Sequence, residues 1–214
     1  MNRLYSLMAA LLCSVAVFAQ TPQEILDKMN AVMTDHEQEG MIMTTEIKIP
    51  ILGTMSTRSY SRGDKIRMET TMMGITLLTW TDGETVWTYD SQENKITITK
   101  ENGKSKDDVG DTKLLSGMSE GYDLKLVKET ADSWLIQCKK NRDNTDKDAP
   151  KSMDVAVSKG SYMPVSFKVK MKGVTMNMHD FSFGVTEKEV IFDTANYPGA
   201  TIEDKRNQET EEKK

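Results

Sequence analysis

Histidine, cysteine and proline are all scarce in this chain of 214 residues, at two, two and five copies. The two histidines, His36 and His179, lie far apart in sequence, so the usual general base is in short supply. The sequence contains no G-x-S-x-G, no P-loop, no H-E-x-x-H and no C-x-x-C. Nucleophile elbows, phosphate cradles, zinc-protease helices and paired-cysteine sites are therefore absent as motifs. Asp82, Asp90 and Asp180 offer carboxylates, but Asp82 and Asp90 stand where turns favour Asp in any case. The expectation is a protein that is not an enzyme and has no catalytic residue, no metal and no cofactor.

Clustered positive charge is missing too. The 28 Lys plus Arg are outnumbered by 33 Asp plus Glu, for a net charge of -5. Binding nucleic acid requires grouped cations to neutralise phosphates, so no nucleic-acid partner is expected. Gly and Pro, at 13 and 5, are too few for a disordered or collagenous chain. No apolar stretch reaches the roughly 18 residues of a membrane span.

The longest apolar run is LMAALLCSVAVF, from Leu7 to Phe18. It follows Arg3 and ends in Val17-Phe18-Ala19, the three-part plan of a secretory signal peptide, with cleavage expected after Ala19. Cys13 raises the alternative of a lipid anchor, against which Leu12 before it is a poor fit. Removing residues 1–19 leaves Cys138 as the sole cysteine, so no intramolecular disulfide can form. Cys138 shares a strand face with Trp134 and Ile136 and reads as a small buried hydrophobe. A nucleophilic role would need a nearby histidine, which nothing in the sequence places there.

Beyond the leader the chain is well patterned. Thr21-Pro22-Gln23-Glu24 combines a capping box with proline at the first helical position. Ile25, Leu26, Met29, Val32 and Met33 then repeat on one helical face, and Gly40 ends the segment. From Met41 the period becomes two. Strands are expected over 41–49, 54–62, 64–73, 75–81, 84–90, 94–100, 122–130, 133–139, 152–158, 163–172 and 174–183. Short links such as Gly63-Asp64, Asp82-Gly83 and Lys172-Gly173 imply antiparallel neighbours, hence one long meander. The stretch 104–121 breaks the pattern and reads as a marginal helical insertion carrying Val109, Leu114, Leu115 and Met118. Residues 141–151 are a polar loop. One domain over 20–204 is expected, with a charged, frayed tail over 205–214.

A two-residue turn at Met73-Gly74 sets Met72 opposite Ile75 and Met68 opposite Thr79. Ile66, Met68, Met72, Ile75 and Leu77 then share one face, while Leu78, Trp80, Trp87 and Tyr89 share the other. A sheet that is apolar on both sides needs cover on both. Either it curls on itself or part of that surface serves a ligand.

Methionine is the abundant residue, with 16 copies, many at alternating strand positions such as Met41, Met43, Met68, Met72, Met171, Met176 and Met178. Three readings stand side by side. Methionine is an adaptable core filler; it can line a pliable ligand cavity; and its thioether is a soft ligand for Cu(I). The copper reading would use Met41 with Met43, or Met176 and Met178 with His179, although residues two apart on a strand sit about 7 Å apart. Arg62, before the Gly63-Asp64 turn, shares parity with Ile66 and Met68. It reads either as a solvated cation at a strand end or as a latch donating to backbone carbonyls of a covering helix. Trp87 and Tyr89 fit either core or rim.

The order of elements resembles the LolA family of periplasmic lipoprotein carriers. Three stretches carry the likeness: Tyr60-Ser61-Arg62-Gly63-Asp64-Lys65-Ile66-Arg67-Met68; Thr81-Asp82-Gly83-Glu84-Thr85-Val86-Trp87-Thr88-Tyr89-Asp90; and Phe192-Asp193-Thr194 running to Pro198-Gly199-Ala200-Thr201-Ile202-Glu203-Asp204. The resemblance implies a mainly β fold, a curved, unclosed antiparallel β-barrel whose concave apolar face is covered by an N-terminal amphipathic helix and a mid-chain helical lid. It also implies a monomeric periplasmic protein that takes acylated lipoproteins or lipids from an inner-membrane lipoprotein-releasing transporter to an outer-membrane acceptor. Arg62 then takes the place of the latching arginine, and Leu114, Leu115 and Met118 belong to the lid. The ligand-binding set is Arg62, Ile66, Met68, Met72, Ile75 and Leu77, together with Trp87, Tyr89, Met171, Met176 and Met178. Gly63 departs from the proline usual there, and the cavity is Met-rich where the family is rich in Phe and Trp. The alternatives are a periplasmic sensor or scaffold for another hydrophobic ligand or a protein partner, and the copper binder.

Overall fold

A computed structural model describes residues 20–51, 53–101, 119–147, 149–171 and 174–207. The expected leader, the lid residues Leu114, Leu115 and Met118, and most of the charged tail lie outside them.

Helix α1 spans Pro22–Asp35 and begins as its sequence dictates. The Thr21 hydroxyl accepts from the Glu24 amide at 3.2 Å, and the Glu24 carboxylate accepts from the Thr21 amide at 2.8 Å. Ile25, Leu26, Met29 and Met33 are its buried face. The chain then enters β1 (Met41–Ile49), β2 (Gly53–Arg62), β3 (Lys65–Met72), β4 (Ile75–Thr81), β5 (Thr85–Asp90) and β6 (Lys95–Lys100). A second run comprises β7 (Tyr122–Glu129), β8 (Ser133–Lys140), β9 (Ser152–Ser158), β10 (Pro164–Met171) and β11 (Val174–Phe183). A short helix, α2 (Glu187–Val190), and strand β12 (Thr201–Asp204) follow.

The twelve strands among the described residues form one open sheet, in the order β12-β6-β5-β4-β3-β2-β1-β11-β10-β9-β8-β7. The expected single meander is therefore two. Strands β6 and β7 are not neighbours; β11 returns to pair with β1, Thr45 opposite Met178. Short links bind consecutive strands, whereas the long connection after β6 frees β7 to take the far edge. A further difference is β12, which adds to β6 in parallel, Ile202 beside Ile96. Within the runs the expected register holds, with Met68 opposite Thr79 and Met72 opposite Ile75.

The core lies on the face that carries α1. Ile25, Leu26, Met29 and Met33 join Met41 and Met43 of β1, Ile136 and Cys138 of β8, Met153, Val155 and Val157 of β9, Phe167 and Val169 of β10 and Met178 of β11. An open, mainly antiparallel sheet with a covering helix is the architecture that the LolA resemblance implies.

Candidate functional site

The helix-bearing face has two halves of different chemistry. Under α1, from β8 to β1, it is apolar and closely packed. Across β2 to β6 it is rich in hydroxyls. Ser59 opposes Met68, then Thr79, Thr88 and Thr97 follow in one cross-strand row. Ile66 faces Thr81 and Leu77 faces Thr70, whose hydroxyl lies 3.0 Å from that of Thr57. The expected apolar positions do share this face, but threonines separate them, so the surface is amphipathic where a continuous apolar one was expected. Met72 and Ile75 sit at its open end, opposite one another and partly exposed. Met176 opposes Ile47 and Val169 on the apolar half, and Met178 is buried there. Met171 pairs with Val174 through its backbone; its side chain is outside the described set.

Trp87 and Tyr89 are elsewhere. Paired with Trp80 and Leu78, they occupy the opposite face, as their parity requires. There the C-terminal segment covers them. Phe192 stacks on Trp87 at 5.5 Å and meets Trp80 edge-on at 5.3 Å, while Tyr197 packs on Tyr89 at 4.4 Å. Arg67 lies over the Trp80 and Tyr60 rings at 5.8 and 5.2 Å. The second cover that a two-sided apolar sheet needs thus comes from residues 192–204, a role that no helical periodicity announced.

Arg62 also departs from its expected face. The two-residue turn sets it opposite Lys65 and Ser61 opposite Ile66, so Arg62 lies across the sheet from Ile66 and Met68. An even separation would place two residues on one face only within a continuous strand, and the hairpin reverses that parity. Its guanidinium nonetheless donates to backbone carbonyls: Val185 at 2.6 Å and Glu39 at 3.1 Å. Glu39 belongs to the 3-10 turn that follows α1, so the contact fastens the exit of the covering helix. Beside it Lys65 pairs with Glu187 of α2, an interaction that holds the Glu187 carboxyl below its usual range.

The proposed soft-metal trio is split. Met178 faces the core, whereas His179 is on the other side, opposite Thr44, with Nδ1 2.9 Å from Asp180. Among the described residues no group of three or more His, Cys, Asp or Glu is placed to hold a metal, and no helix is long and apolar enough to cross a membrane.

No protein-family model and no curated protein matches the sequence. Among solved structures the chain is similar to an uncharacterized conserved protein from Thermus thermophilus, at 16% identity over 86% of this chain and 99% of that one, with a TM-score of 0.48. It is similar also to LprF from Mycobacterium bovis, at 7% identity over 77% and 94% of the two chains, TM-score 0.49. A LolA superfamily protein from Nitrosomonas europaea aligns at 9% identity over 83% and 100%, TM-score 0.33. At scores under 0.5 these likenesses are of broad architecture, and the functional reading rests on this chain's own residues.

Proposed function

We propose that this chain is an exported carrier that holds the acyl chains of lipoproteins or lipids against the helix-bearing face and moves them from the inner to the outer membrane. The observation that carries the reading is the thioether packing under α1. Met29 and Met33 of the helix join Met41, Met43, Met153 and Met178 of the sheet in one buried cluster. Unbranched, polarisable side chains repack around guests of varied shape, so the same contacts serve an empty and a filled state. Moving α1 aside would uncover apolar surface from β8 to β1. Each methylene buried there is worth about 0.8 kcal/mol, enough to hold an acyl chain that cannot cross water unaided.

Arg62 supports a latch in this scheme, since its bond to the Glu39 carbonyl tethers the turn through which α1 would swing. Ile66, Met68 and Leu77 would meet the less apolar part of the ligand among the threonines, with Met72, Ile75, Met171 and Met176 towards the open end and Leu114, Leu115 and Met118 as a second cover. Donor and acceptor would be a lipoprotein-releasing transporter and an outer-membrane receptor, and the carrier would act as a monomer. The test is native mass spectrometry of the protein recovered after export, without detergent. Extra mass that organic extraction removes and identifies as acylated lipid or lipoprotein is expected. A clean apo mass that stays unchanged when an acylated peptide is added would overturn the reading.

A further inference from the structure

The β1–β2 and β3–β4 turns stand side by side on one end of the sheet, because β2 and β3 are neighbours. Each holds a bulky apolar residue in left-handed backbone: Ile51 at φ 73° and Met73 at φ 52°. Such a conformation is uncommon for any residue but glycine and is an outlier for a β-branched one. In a turn like Met73-Gly74, with positive φ at both positions, asparagine is the ordinary first residue. Neither side chain is tucked in. Ile51 is fully exposed and Met73 is 74% exposed, with Met72 and Ile75 partly exposed beside it. Apolar tips at strained turns are a feature that folding alone does not call for.

On the opposite face, just inside this end, the register lines up cations. Lys139 opposes Ser152, Ser152 opposes Lys170, Lys170 opposes Thr175, and Thr175 opposes Lys48. The three lysines thus occupy alternate strands of one cross-strand row, about 10 Å apart. All three are exposed, and the ion pairs among the described residues include none of them. At its β7 edge the row holds one acid, Asp123, opposite Lys139, so it has three cations to one carboxylate; the next row mixes Asp154 and Glu46 with Lys168. Beyond β4 the apolar patch stops at a polar turn bounded by Asp90 and containing Glu93.

We propose that this end of the sheet is a membrane-docking surface, with Ile51 and Met73 entering the bilayer interface and Lys48, Lys139 and Lys170 meeting anionic lipid headgroups. The depths agree. Lys48 is three residues from Ile51, at most about 10 Å of extended chain, and interfacial anchors penetrate about 5–10 Å. Lysine stems also reach outward towards the headgroups. A row with three lysines to one acid, aligned with the tips, suits a negatively charged plane. The proposal does not depend on the carrier reading, and failure of one leaves the other standing.

The experiment is co-sedimentation of the protein recovered after export, its N-terminus verified, with vesicles of phosphatidylcholine alone or mixed in equal parts with phosphatidylglycerol. The protein should pellet with the anionic vesicles, bind the neutral ones weakly, and come off in high salt. Ile51→Gly with Met73→Asn should lower the partition coefficient about tenfold or more, because two apolar side chains no longer enter the interface. Glycine and asparagine both suit positive φ, so this variant's thermal midpoint should not fall, which separates lost docking from misfolding. Replacing Lys48, Lys139 and Lys170 together by Gln should abolish the preference for phosphatidylglycerol. A wild-type protein that stays in solution with both vesicles, that pellets equally without them, or whose variants sediment as it does would overturn the proposal.

Discussion

Arg62 on β2 and Val185 beyond β11 are 123 residues apart in sequence, yet the Arg62 guanidinium donates a 2.6 Å hydrogen bond to the Val185 carbonyl. The same nitrogen donates to Glu39, and the Gly184 amide donates to the Gly40 carbonyl at 3.2 Å. Three chain segments therefore meet at one point. Gly40 is required there on two counts: its φ is +73°, and a Cβ would stand 2.5 Å from the Ser61 carbonyl oxygen. Arg62→Leu should cost about 1–2 kcal/mol, the worth of charge-assisted hydrogen bonds discounted for partial exposure. Gly40→Ala should cost about 2 kcal/mol or more through strain and overlap. Urea unfolding measures both. An Arg62→Leu midpoint equal to wild type would show that the junction is held by packing alone.

The aromatic group on the opposite face yields a second prediction. Phe192 touches both Trp80 and Trp87 and joins the C-terminal segment to the sheet. Phe192→Ala should cost about 3 kcal/mol through lost burial and ring contacts. Tryptophan emission should shift to the red as water reaches Trp87, and amides of β12 should exchange faster. Unchanged emission would mean that the segment is anchored elsewhere.

Much of this fold was legible because its signals are local. The Thr21–Glu24 box, the period of two and the Met73-Gly74 turn each act within a few residues, and the structure follows them. The β1–β11 pairing and the parallel addition of β12 join segments more than a hundred residues apart, which no local period encodes. The same limit explains Arg62. Its hydrogen bonding to backbone carbonyls was legible from its chemistry, but its face depended on how many residues the Gly63-Asp64 turn consumed. Threonine was the overlooked signal. Thr79, Thr88 and Thr97 fall in register, and counting hydroxyls along with methionines would have revealed the amphipathic half.

Ser59 marks the boundary of that half. It is 2% exposed, lies between Met43 and Met68, and its hydroxyl has no hydrogen-bond partner. Burying an unsatisfied hydroxyl is unfavourable, so Ser59→Ala should raise stability by about 1 kcal/mol, the reverse of most core truncations. Denaturant midpoints decide the matter, and a drop in stability would mean that the hydroxyl finds a partner in solution.

Cys138 offers a titration that reports on the core under α1. Burial, assisted by the nearby Asp154 charge, pushes its thiol from 9.0 up to about 11. The folded state therefore keeps the proton at a pH where the unfolded state has released it. Stability attributable to the thiol is full below pH 9 and is lost as pH rises towards about 11. Tyr122, also raised by burial, titrates in the alkaline range as well, so the wild-type curve alone is not diagnostic. Cys138→Ala keeps Tyr122 and removes the thiol, and the difference between the two stability curves should slope downward across that window. The buried thiol should also resist alkylation at neutral pH until the core opens, because the thiolate is the reactive form. Arg62→Leu, by loosening the exit of α1, should speed that labelling. Equal labelling rates with and without the arginine would separate the Arg62 junction from any movement of the helix.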